Sequence, residues 1–341
     1  MAGSKRIHEL DYLKGIFILL MVIFHLALVE ETYPVLREAV YTFHMSAFLI
    51  ISGYLANVEK TPQDFGKGLL RLLIPYVLFE SLYILMQYFV GGSLGAHNAI
   101  GQLTPTDFIY RVATQPTGPY WYLHTLILCT AVYYVIYRLL KLKSISGLAL
   151  TGLILFGLSL VIEGLNWDYV IYFLMGMFIL QCGGKLTRVI APSFWAILPL
   201  ILLFSSRNNF QNGSLAGVAI TVLVMSALLA FYPYCSAVVR NVLCYIGRNS
   251  LAIVIFSPIF TLATKLITPY FAFDPTAICF TIVALAFVVG CCLACAWLAD
   301  KLHISQYIFA KDRFYTPSTS RKQPLNSVNR HNIRGTDTLS N

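Results

Sequence analysis

Between Tyr12 and Ala299 the chain alternates long apolar runs with short polar connections. Most runs approach the roughly 20 residues needed to cross about 30 Å of hydrocarbon. The pattern predicts ten helices, at approximately 12–29, 40–57, 71–91, 119–140, 145–162, 168–182, 190–205, 213–232, 248–270 and 277–299. The sixth, within "LNWDYVIYFLMGMFILQCGG", is barely long enough to span. The expected fold class is therefore an all-α membrane protein, a polytopic bundle of about ten transmembrane helices. The membrane domain is expected over residues 1–310, followed by a tail over 311–341.

An even number of spans puts both termini on one side. With a cytoplasmic amino terminus, the cytoplasmic connections hold Lys5, Arg6, Lys60, Lys67, Arg138, Lys141, Lys143, Lys185, Arg188 and Arg240. The opposite face holds Arg37, Arg111, Arg207 and Lys265, beside Glu30, Glu31, Glu38, Asp107, Glu163 and Asp168. This asymmetry is the one that orients membrane proteins with basic loops inside, and it places the chain as a multi-pass protein of the plasma (inner) membrane with both termini cytoplasmic.

Composition agrees. The chain is 58% hydrophobic and only 11% charged, against about 25% charged in an ordinary soluble domain, so a soluble fold is excluded. The net charge of +9 lies in short membrane-flanking loops and in the tail, which points to membrane lipids as partners and not to nucleic acid. The tail, polar and rich in Ser and Asn, reads as disordered and solvated. The first helix is expected to stay as an anchor, because no small-residue cleavage pattern follows the basic start. Eight cysteines build no expected metal site. Cys291, Cys292 and Cys295 contain a C-x-x-C, but it sits inside an apolar helix without a second ligand pair, where cysteine packs as a small hydrophobe.

Ionisable groups within the spans carry the candidate chemistry, since such groups are costly in hydrocarbon. Lys14 and His25 share the first helix, about 16 Å apart at 1.5 Å per residue. Lys14 is near enough to the interface to snorkel, whereas His25 needs a polar partner or a watery cavity. The second and fourth helices run inward and place His44 and His124 at the depth of His25, in the outer half. The third runs outward and carries Glu80 about 13 Å from Arg71. Trp121 and Tyr122 suit an interfacial aromatic belt when taken alone. With Ser52 and Tyr54 in the inner half, the whole set outlines a polar tunnel, and imidazole is the side chain best suited to proton transfer near neutral pH.

The segment "RIHELDYLKGIFILLMVIFH" resembles the amino-terminal pattern of the acyltransferase family 3 membrane proteins: a basic residue, an aspartate, then a lysine or arginine followed in the same helix by a histidine. The resemblance continues through "FHMSAFLIISGYL", "RLLIPY", "WYLHTLI" and "IGRNSLAIVIF" and covers most of the membrane region. One departure is Ser257, where many members carry a histidine in the late helix. The resemblance implies ten spans and transfer of an acyl group, usually acetyl, from cytoplasmic acyl-coenzyme A to a carbohydrate hydroxyl. It makes His25 the catalytic histidine and Lys14 its paired basic residue.

On that reading Lys14 and Arg71 form a basic inner mouth for coenzyme A phosphates, with Ser52 and Tyr54 along the donor path. His25 is the general base. Glu80 and Tyr122 orient the histidine or the acceptor, His44 is a second proton-handling group, and Trp121, Tyr122 and His124 line the acceptor side. The donor substrate is acyl-CoA, with acetyl-CoA foremost and succinyl equally permitted by the residues. The acceptor is a carbohydrate or glycolipid, and neither a metal nor a permanently bound cofactor is expected. A secondary transporter or polysaccharide exporter is the competing class, but no paired, Gly/Pro-interrupted helices appear in matching halves. A structural scaffold would leave the histidines unexplained.

Overall fold

The computed structural model describes residues 6–89, 100–142 and 145–317. Lys5, Lys143 and the tail from residue 318 onward lie outside the described residues. Every regular element among those described is helical. Helices of eight or more residues run in the order α1 (His8–Ile23), α2 (Pro34–Leu55), α3 (Pro62–Phe89), α4 (Pro105–Thr114), α5 (Trp121–Tyr134), α6 (Ile145–Ser159), α7 (Trp167–Gln181), α8 (Ile197–Phe204), α9 (Leu215–Phe231), α10 (Ala237–Arg248), α11 (Ser250–Ala263) and α12 (Ile278–Lys301).

Each of the ten apolar windows contains helix, yet among the described residues three helices are both long and apolar enough to cross a membrane: α3, α9 with its extension to Tyr234, and α12. A fourth arises if α10 and α11, with the latter's extension to Leu266, count as one span; the pair is bent by 79°. The remaining windows fall short for local reasons. The first is interrupted at Phe24–Leu26, directly around His25, and α6 and α7 are only 15 residues each.

Two helices lie outside the windows because their apolar residues are too sparse for a hydropathy reading. One is α4, which Thr104 and Asp107 start as a capping box: the Thr104 hydroxyl accepts from the Asp107 N–H, and the Asp107 carboxylate accepts from the Thr104 N–H. The other is α10, started by Ser236 accepting from the Val239 N–H.

Two close helix crossings fix the frame around the polar residues. Where α1 crosses α10, a Cβ on Gly15 would meet the Leu243 carbonyl oxygen at 2.1 Å, and one on Gly247 would meet the Asp11 carbonyl oxygen at 1.8 Å. Where α2 crosses α7, the same holds for Gly53 against Phe173 and Gly176 against Ile50, both at 2.1 Å. Small residues let backbones approach in membrane bundles, where lipid gives packed helices little hydrophobic advantage. Besides α10, α1 contacts α2, α9, α11 and α12, so it runs through the middle of the bundle.

The folded part extends past residue 310. Asp300 accepts from the N–H groups of Phe314 and Tyr315, both at 2.8 Å, and Asn249 at the α10–α11 bend both accepts from the Thr316 N–H and donates to its carbonyl. Phe314 stacks on Phe309 with ring centroids 3.7 Å apart. Residues 311–317, assigned to the tail by their polar composition, are thus held by the buried Asn249, the half-buried Asp300 and one aromatic pair.

Candidate active site

His25 stands at the break after α1, half-buried, with its Nδ1 2.6 Å from the Met21 carbonyl oxygen. A carbonyl can only accept, so Nδ1 carries a proton, and in the neutral ring Nε2 then keeps its lone pair. That is the tautomer a general base needs. On α2, His44 repeats the arrangement: Nδ1 donates to the Val40 carbonyl at 2.8 Å, and its buried Nε2 has no partner among the described residues. The ring of Tyr41 lies between the two imidazoles, 5.6 Å from one and 5.3 Å from the other, and its hydroxyl donates to the Phe24 carbonyl in the α1 break.

His25 lines two cavities. One, of about 70 Å³, is shared with Tyr41, His44, Trp121, Tyr169 and Val254. The other, of about 170 Å³, is shared with Tyr83, Gln87, Ser257, Thr261 and Lys265. Met21 and Pro119 border both. A third cavity, of about 320 Å³, lies toward the start of α1 and is lined by Lys14, Ser52, Lys60, Tyr122, Thr130 and Ser250. Val254 borders this inner cavity and the smaller outer one alike.

Lys14 is oriented by Asp11, whose Oδ1 is 3.0 Å from Nζ, while Arg6 holds Oδ2 of the same carboxylate at 2.6 Å. Burial pushes the Asp11 carboxyl up, but the hydrogen bond from Arg6 and the charge and hydrogen bond of Lys14 outweigh it and hold it below its ordinary value.

Several residues sit elsewhere than the sequence pattern placed them. Arg71 is exposed and donates from Nε to the Ala310 carbonyl at 3.2 Å, outside the inner cavity. The second cation lining that cavity, beside Lys14, is Lys60, two residues before α3 begins at Pro62. Tyr54 does not line that cavity either; its backbone lies against Gly176 of α7. Tyr122 borders the inner cavity and neither of the two at His25, with its hydroxyl 2.9 Å from the Ser52 Oγ. His124 borders none of these cavities: its Nε2 donates to the Ala113 carbonyl at 3.0 Å and its ring lies against Tyr76. Trp121 does border the outer site, its ring tilted against that of Tyr169 with centroids 4.3 Å apart. At about 100° per residue, one step along α5 turns from the outer cavity to the inner one. Shared depth does not mean a shared face.

Glu80 is fully buried, and its Oε1 accepts from the N–H and the hydroxyl of Thr117, both at 2.7 Å. It does not border a cavity with His25. It braces the turn Thr117–Gly118–Pro119, in which Gly118 takes φ +57° against the Tyr83 ring and Pro119 forms part of the wall beside His25. Glu80 thus holds the turn and stands one step removed from His25. Tyr41, Lys60, Pro119, Tyr169 and Lys265 were not singled out as site residues by the pattern. Only Tyr41 carried a signal, three residues before His44 on the same helical face.

The described residues thus form an all-helical bundle with exposed apolar helices and cavities near the two ends of one central helix, an ammonium lining the cavity at one end and an imidazole lining those at the other. The family model for the acyltransferase domain of acyltransferase family 3 matches residues 7–297, and the chain belongs to that family. It is a membrane protein and an acyltransferase. No curated protein and no solved structure matches it.

Proposed function

We propose that the protein transfers a short acyl group, acetyl foremost, from cytoplasmic acyl-CoA to a hydroxyl of a carbohydrate or glycolipid on the far side of the plasma membrane. The observation that carries this reading is His25, its Nδ1 held by the Met21 carbonyl and its side chain lining two outer cavities, just past one end of a helix whose other end presents Lys14 to a cationic inner cavity. Lys14 and Lys60 hold the phosphates of the donor, Lys60 replacing Arg71 in that role, because ammonium groups bind phosphate as point charges. The pantetheine arm passes Ser52 and Tyr122 toward Val254. Nε2 of His25 removes the proton from the acceptor hydroxyl, the hydroxyl oxygen attacks the thioester carbonyl, the C–S bond breaks, and the imidazolium returns the proton to the departing thiolate. His44 and Tyr41 hold the second wall of this chamber. The topology that fits is ten spans with both termini cytoplasmic, supported by the helical windows and the distribution of basic loops.

Replacing His25 with Ala is expected to lower turnover by about 10²–10⁴-fold, the usual contribution of a positioned general base, while coenzyme A binding and folded yield stay close to wild type. Thioester consumption by purified protein reads the first and calorimetry the second. A His25→Ala protein that keeps most of its turnover would remove the histidine from the chemistry. Absence of any thioester consumption in the wild type with a panel of glycan acceptors would favour a transporter.

A further inference from the structure

The larger outer cavity has a chemistry that the acyl-transfer step alone does not require. Its rim carries hydroxyls of Tyr83, Ser257 and Thr261 and the buried amide of Gln87, groups that suit sugar hydroxyls. Its single formally charged lining side chain is Lys265, in the short 3₁₀ turn Thr264–Leu266 that follows α11. Among the described residues no carboxylate lies within ion-pairing distance of Lys265. Two of the other three outer cations behave differently: Arg37 pairs with Glu30, and Arg207 pairs with Glu38 at 2.9 Å. Arg111, like Lys265, has no ion pair among the described residues, but it borders none of these cavities. Lys265 is half-buried, and an ammonium facing a partly enclosed cavity without a counter-charge favours an anion there.

We infer that the acceptor is an anionic glycan, a sugar bearing a carboxylate or a phosphate, whose charge is read by Lys265 while one of its hydroxyls lies at His25. This rests on the acyltransferase reading of the outer site but is read separately from it. The anionic group sits at Lys265, Gln87 and the hydroxyls fix the ring, and His25, on the wall of the same cavity, selects the hydroxyl that is acylated.

The test is a binding measurement that needs no turnover. Saturation-transfer NMR or a thermal shift on the purified full-length protein compares a methyl hexoside, the matching methyl uronoside and the matching hexose phosphate. Wild type is expected to bind one or both anionic sugars about tenfold or more tightly than the neutral one, as a charge-assisted contact implies. Lys265→Gln is expected to collapse that ratio toward one and Lys265→Arg to keep it, so that loss of folding in one variant cannot mimic the result. Uronoside against phosphate separates the two sources of charge. Equal binding of neutral and anionic sugars by wild type, or an unchanged ratio in Lys265→Gln, would overturn the inference. So would a preference seen in phosphate-free detergent that vanishes in phospholipid vesicles, which would give Lys265 to lipid headgroups. Thioester consumption measured in parallel reports on the acyltransferase reading by itself: its absence with the binding preference intact would sink that reading and leave the anion site standing.

Discussion

At the residue scale the site depends on groups that hold other groups still. Glu80 is the clearest case, since its one engaged oxygen accepts two hydrogen bonds from Thr117 and thereby sets Pro119 beside His25. A bracing role and a proton-transfer role predict different outcomes for two substitutions. Glu80→Gln keeps an oxygen acceptor for Thr117 and is predicted to retain most of the turnover. Glu80→Ala leaves the Thr117 N–H and hydroxyl unmet in a buried position, at about 1–3 kcal/mol, and is predicted to lose about tenfold or more in kcat. Steady-state rates for both variants decide it: a Gln variant as damaged as the Ala variant would mean that Glu80 itself handles a proton. The presence of buried ionisable residues was legible in the sequence, because charge in an apolar run is conspicuous. Their roles were not, because hydropathy reports depth and says nothing about azimuth. Trp121, Tyr122 and His124 lie within four residues of one another and face three different surroundings.

At the element scale, the ten apolar windows all hold helix, so the coarse layout was legible from residue type alone. The breaks and bends were not. The interruption of α1 at Phe24–Leu26 contains no proline or glycine, and the 79° bend at Asn249 follows contacts made by residues far along the chain. What the sequence does show, once the crossings are known, is the pairing of Gly15 with Gly247 and of Gly53 with Gly176 as points of backbone approach. Gly176→Ala is predicted to destabilise by about 1–3 kcal/mol through overpacking, because its new Cβ would lie 2.1 Å from the Ile50 carbonyl oxygen. Gly157→Ala on α6, where a Cβ meets nothing within 4 Å, is predicted to be neutral or to stabilise by up to about 1 kcal/mol, since alanine is the better helix former. Unfolding of the two purified variants in one detergent makes the comparison. Equal midpoints would mean that the α2–α7 crossing yields readily and does not fix the frame.

At the scale of the whole molecule, the proposed reaction is vectorial: donor on one side, acceptor on the other. In right-side-out vesicles loaded with labelled acetyl-CoA, label is predicted to appear on an impermeant external glycan, and vesicles given the donor only outside are predicted to stay inactive. Activity that required donor and acceptor together in the internal compartment would contradict the proposed trans-bilayer path, whatever His25 does. The central helix adds a constraint of its own. Because Lys14 lies on α1 and His25 just two residues past its end, eleven positions on, with a rise of about 1.5 Å per residue, the span from phosphate anchor to base is a built length of about 16 Å. On the proposed path α1 is a ruler. A donor gripped by its phosphates at the near end delivers its acyl carbon only if its arm is as long as that ruler, so acetyl phosphate and other short activated acyl compounds would fall short of the base however reactive they are.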